Sequence, residues 1–201
     1  MASFNIHIAV AKLYAARTGA IKDLGAFYKG TVDPDLTDNK ESTHYGYDPG
    51  PFEKNAWLCF GYKVGLSKYF KTHDLDNDYN LGYFLHLVVD VKFFHEFFNE
   101  EYLSKQDTDI FKANIYHSYG LVNPHLVKQY GLDEIDMGKI MDMPYITKKV
   151  EQSRKKIERV QQEENHTAVC ILDIARLDAF ITEVAGLDLQ SIAAHARKSS
   201  S

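Results

Sequence analysis

Residues four apart in an α-helix differ by about 40° around the axis and lie one turn apart along it, so a His-x-x-x-Asp pair projects from one face. The chain carries such a pair in Leu85-His86-Leu87-Val88-Val89-Asp90, with Tyr83, Phe84, Val91, Phe93 and Phe94 around it. A carboxylate among neighbours this apolar is costly unless a positive charge compensates it, and a divalent metal ion shared with the imidazole would supply that charge. The pair alone leaves an alternative open, a neutral His86 hydrogen-bonded to Asp90 in a polar cavity of the core.

Three further donors precede the pair: His7 near the start of the chain, Asp35 just after Pro34, and His44 in a polar connection. Imidazole mixed with carboxylate suits zinc, iron or manganese. Taken singly, each also has an ordinary role, His7 as a partly exposed helix residue, Asp35 as a turn or capping residue and His44 as a solvated loop residue.

Helices must position these groups. Ile6, Ala9, Val10 and Leu13 recur at helical spacing and predict a helix over 5–17 ending near Gly19, with His7 bordering its buried face. A short helix over 21–29 runs into Pro34, which ends it and leaves Asp35 on a loop. A long polar connection over 36–52 carries His44, and 55–70 reads as helix or irregular structure with Trp57, Leu58, Phe60, Val64, Leu66 and Phe70 as its apolar members. The central helix is expected over 79–102, where Phe93, Phe94, Phe97 and Phe98 recur at core spacing. Further helices are predicted over 108–119, over 124–130 beyond an Asn123-Pro124 break, over 145–162 with charges at most positions, and over 167–185 and 187–198. Alternating β-branched runs are absent, so the fold class is all-α.

The 201 residues suit a single domain (1–201), with 1–100 carrying the metal site and 145–201 the C-terminal helices. At 45% hydrophobic and 25% charged the chain has a globular composition, and a net charge of −5 gives no bulk attraction to nucleic acid. Cys59 and Cys170 sit among apolar residues without a CxxC and read as buried free thiols. No signal peptide is apparent, and the most apolar stretch, 81–98, is broken by His86, Asp90, Lys92, His95 and Glu96, so no transmembrane segment and a cytoplasmic location are expected.

An N-terminal helix histidine (Ile6-His7-Ile8-Ala9), a Gly30-Thr31-Val32-Asp33-Pro34-Asp35 loop, His44 and the Gly82-to-Asp90 helix occur in the order found in a known family. Over about half the chain this arrangement resembles the zinc-dependent phospholipase C superfamily and, more distantly, the secreted single-strand-specific fungal nucleases. The resemblance implies a helical bundle of the phospholipase C/nuclease type. It also implies a hydrolase of phosphoester bonds whose metal ligands are His7, Asp35, His44, His86 and Asp90.

Departures from that pattern point to one or two ions, zinc foremost, rather than three. The chain begins Met1-Ala2-Ser3 instead of with a ligating tryptophan; His95 lies about 180° from His86 on a straight helix; and His117 is followed by Leu121, so the late HxxxE pair is missing. A metal-bound water would then attack a small phosphoester substrate, with Asp33 or Glu96 orienting that water and His117 contacting the substrate. His125 shares the setting of His117, and a homo-oligomer is left open. Two other classes compete: an HD-type nucleotide phosphohydrolase built on His73-Asp74, and a non-catalytic metal-binding protein whose long charged helix engages a partner.

Overall fold

The computed structural model describes residues 2–46 and 65–198. Ser, Asp or Asn opens most of the helices, its side chain accepting a backbone N–H that the first turn leaves unpaired. Ser3 caps α1 (Phe4–Thr18), Asp23 caps α2 (Leu24–Val32) and Asn39 caps α3 (Lys40–Thr43). One turn, α4 (Leu66–Tyr69), follows, and Asn77 then caps α5 (Asp78–Lys92). Asn99 caps α6 (Glu100–Ser104) and Asp107 caps the 23-residue α7 (Thr108–Tyr130). After α8 (Met137–Ile140), Asp142 caps α9 (Met143–Glu163), Asp173 caps α10 (Ile174–Val184), and α11 (Leu189–Lys198) closes the bundle. The fold is an all-α multi-helix bundle with no strand among the described residues. None of the described helices is long and apolar enough to cross a membrane.

Two glycines set the closest helix crossing. A Cβ on Gly30 of α2 would lie 2.0 Å from the Tyr79 carbonyl oxygen of α5, and one on Gly82 would lie 2.1 Å from the Phe27 carbonyl oxygen. Both are below any contact a real side chain tolerates, so only glycine lets the two backbones meet. Beyond Lys92, α5 widens into a π-helical turn, Phe93–Phe97, whose phenylalanines pack on one another, on Phe98 and on Phe180, with Phe98 in turn on Phe111, ring centroids 5.1–5.6 Å apart. All four phenylalanines expected in the core are buried.

Several boundaries differ from the sequence expectation. The central helix does not run over 79–102: the π turn and Asn99, at φ 55°, interrupt it. Pro124 does not break α7, because Val122 and Leu126 are fully buried on either side and their packing outweighs the one lost helix bond. The 167–173 stretch is not helical. Its backbone is taken up by α7 side chains, Val169 N–H donating to Asn114 Oδ1 (3.0 Å) and Ile171 N–H to Ser118 Oγ (2.8 Å). Cys170, in that stretch, is exposed rather than buried, whereas Cys59, with Trp57, Leu58, Phe60 and Val64, lies outside the described residues.

Candidate metal centre

Asp35, the last residue of a 3-10 turn (Asp33–Asp35), is where Pro34 forces the chain out of α2. The polar connection expected to follow as a loop contains α3, and His44 forms that helix's C-cap. Two contacts clamp α3 to the turn: Thr43 Oγ1 donates to the Pro34 carbonyl (2.7 Å), and Lys40 Nζ donates to Asp35 Oδ1 (2.8 Å) and to the Asp35 carbonyl. His44 is thereby delivered to Asp35. On the other side, the glycine crossing puts the Thr31 carbonyl on His86, whose Nδ1 lies 2.9 Å from it. His7, expected at the border of α1's buried face, is wholly inside, because the first half of that helix is buried all round.

All five expected ligands converge, each no more than 1% exposed. His44 Nε2 stands 3.1 Å from His86 Nε2, 3.3 Å from Asp90 Oδ2 and 3.6 Å from Asp35 Oδ1. His86 Nε2 stands 3.7 Å from Asp90 Oδ2 and 3.8 Å from Asp35 Oδ1. His7 stacks on the His86 ring at 3.9 Å, with its Nε2 3.5 Å from Asp90 Oδ1. Two groups of three donors close enough to share an ion result, His7–His86–Asp90 and Asp35–His44–His86.

Proton placement makes this geometry informative. A carbonyl can only accept, so the contacts of His86 Nδ1 with Thr31 and of His44 Nδ1 with the Lys40 carbonyl (3.0 Å) put the ring proton on Nδ1 in both. Thr43 cannot reverse this for His44, because its one hydroxyl proton goes to Pro34. In the neutral rings both Nε2 atoms are therefore bare lone pairs facing each other and two carboxylates. They need a proton or a cation between them. An ion about 2.0–2.2 Å from tetrahedral donors spaces them about 3.3–3.6 Å apart, and the five distances that involve the two Nε2 atoms, 3.1–3.8 Å, bracket that range. Both His7 nitrogens and Asp35 Oδ2 are buried without a hydrogen-bond partner, the state in which ligand atoms await an ion. The donor set fits a divalent metal.

Electrostatics agree. Burial, with the charge of His7 adding to it, holds His86 well below its ordinary value of 6.5, so it is a neutral ligand at physiological pH. Burial alone would raise Asp90, but the charge of the chain's amino terminus and the close approach of His44 and His7 outweigh it and keep the carboxyl well below its usual range. Asp35 is likewise opposed by burial yet held low, with the Lys40 ammonium 2.8 Å away as its standing counter-charge.

The structure does not bring the three other expected site residues into this group. Asp33 is tied to Lys29 (2.8 Å) and the Tyr79 hydroxyl (2.9 Å); Glu96 is half exposed and paired with Lys92 (2.6 Å); His117 lies half-buried on α7. The π turn carries Glu96 to solvent, so an angle measured on a straight helix misplaces it. His95 and His73-Asp74 belong to neither group of donors; Asp74 instead pairs with Arg197.

Four residues absent from the expected site surround it. Lys40 and Thr31 hold the ligands, and the Ala2 N–H donates to Asp90 Oδ1 at 2.8 Å. Tyr119, on α7, feels both carboxylates: burial first, then Asp90, Tyr116 and Asp35, push its hydroxyl well above 10, leaving it a neutral donor beside the centre. Lys40, four residues before His44, had a helical spacing that could have flagged it; Tyr119 had no local signal. No protein-family model, curated protein or solved structure matches the chain.

Proposed function

We propose that the chain is a metal-dependent hydrolase of phosphoester bonds, with Asp35, His44, His86 and Asp90 holding one divalent ion. Zinc is the ion the donor set suits best. The supporting observation is the convergence of the His44 and His86 Nε2 atoms with two buried carboxylates, at 3.1–3.8 Å. His7, with Asp90 Oδ1, offers a second position. The ordered resemblance to zinc-dependent phospholipase C adds the reaction class.

When bound, such an ion supplies a water of lowered pKa and charge for the phosphoryl oxygens. The chain's own residues supply the rest. Asp35 Oδ2, buried and unpartnered, can accept a proton from a water beside it. Thr31 and Lys40 fix the imidazoles through their carbonyls, which aims Nε2 inward.

The test is to strip the protein of metal, reload it with zinc or manganese, and assay generic phosphodiester and phosphomonoester substrates. Metal uptake without hydrolysis of either would refute the enzyme. It would favour instead a structural metal centre, a reading supported by the near-complete burial of all four donors. Metal-dependent melting without turnover identifies that case.

A further inference from the structure

Lys40 is not a metal ligand, yet it makes more contacts to the centre than any neighbour described above. Its Nζ lies 2.8 Å from Asp35 Oδ1 and also reaches the Asp35 carbonyl, its own carbonyl receives His44 Nδ1, and its side chain is only 17% exposed. The charge count gives this a consequence. An imidazole that ligates a metal counts as uncharged, so two carboxylates around one divalent ion sum to zero, and a neutral buried centre has no net attraction for an anion. The Lys40 ammonium, in direct contact with one of the carboxylates, adds a positive charge to that count on the Asp35 side, as the chain's amino terminus does toward Asp90. The nearby Lys29 and Lys149 are balanced by Asp33 and Asp38.

We propose that Lys40 makes the metal centre an anion-binding site, and so selects a tetrahedral oxyanion such as a phosphate ester over neutral ligands. This rests on the metal centre proposed above and deepens it. The residue acts through charge and through Asp35, as a positioning group rather than a ligand. Its effects on the two kinds of ligand must then have opposite signs. An ammonium beside Asp35 Oδ1 competes with a cation for that oxygen and attracts an anion.

The experiment uses the full chain stripped of metal and reloaded with cobalt(II), comparing wild type with Lys40→Met and Lys40→Arg. Cobalt affinity is read by competition with a chromophoric chelator, and inorganic phosphate is titrated by calorimetry and by the visible cobalt spectrum. Lys40→Met is expected to hold cobalt as tightly as wild type or several-fold tighter while binding phosphate roughly tenfold or more weakly, the scale of one unit charge removed from a buried site. Lys40→Arg, which keeps the charge, is expected to keep wild-type phosphate affinity.

Cobalt and phosphate affinities falling together in Lys40→Met would make the residue a structural clamp and overturn the proposal. Unchanged phosphate binding in Lys40→Met, or loss of it in Lys40→Arg, would overturn it as well. Cobalt bound by wild type with no affinity for phosphate would do the same while leaving the metal centre standing. A wild type that binds no cobalt would remove the metal centre itself.

Discussion

Asp90→Asn is the most informative single change, because Asp90 faces both donor groups. Its Oδ1 lies on the His7 side and its Oδ2 lies 3.3 and 3.7 Å from the Nε2 atoms of His44 and His86. Asparagine keeps the shape and an oxygen for the Ala2 N–H, but exchanges an anionic donor for a weak neutral one. Loss of a residue that merely orients a ligand costs about 10–100-fold in metal affinity, so loss of a ligand charge should cost at least about 100-fold. With zinc at about 100 times the wild-type dissociation constant, binding stabilises the wild type by about 2.7 kcal/mol, and the variant by no more than about 0.4 kcal/mol.

For a chain of this length that becomes a rise in Tm of about 5–10 °C against about 1 °C. The comparison is made within each protein, chelator-treated against zinc-loaded. That cancels whatever Asp90→Asn does to the metal-free form, where loss of the ionised carboxyl among His44, His7 and the amino terminus is itself destabilising. Elemental analysis of both proteins as isolated gives an independent count. Equal zinc-induced shifts and equal metal content in the two proteins would refute the assignment of Asp90 as a ligand.

Gly82→Ala should unfold the chain at markedly lower denaturant, by about 3 kcal/mol or more, since the new Cβ would lie 2.1 Å from a backbone oxygen of α2; zinc binding should weaken with it, as the same crossing places Thr31 on His86. His95, which burial holds down at about 4 against an ordinary 6.5, is neutral in the folded protein. Its contribution is therefore intact above pH 6.5 and lost as the pH falls from there toward 4. Allowing for its solvent contact the loss is about 1.5 kcal/mol, and His95→Gln should flatten that part of a stability–pH curve measured by denaturant titration. Asn114→Ala removes the acceptor for His166 Nε2 and Val169 N–H, at a cost of about 1–3 kcal/mol. Hydrogen exchange should then accelerate at Val169 while Ile171, held by Ser118, keeps its protection.

Much of the helical layout was legible from local signals. The period of Ile6, Ala9, Val10 and Leu13 located α1, and Gly19, in the left-handed conformation at φ 58°, stops it where expected. Departures from the expected layout came where side chains elsewhere decide the backbone. Pro124 was expected to break a helix that buried neighbours hold together, and 167–173 was expected to be helix although Asn114 and Ser118 draw its N–H groups away.

The same division runs through the candidate site. Spacing alone put His86 and Asp90 on one face of one helix, because helix geometry fixes the angle between two side chains on a common axis. The chain order of His7, Asp35 and His44 says nothing of their distance from that pair. Their convergence within a few ångströms was decided by a glycine-to-glycine crossing, a proline turn and the α3 clamp. Glu96 left the face that a straight helix would give it, Lys40 joined the site from the first turn of the helix that ends on His44, and Tyr119 joined it from α7, which carries no expected ligand. Sequence periodicity fixes where a residue points relative to its own helix; what it meets there is set by how the helices pack.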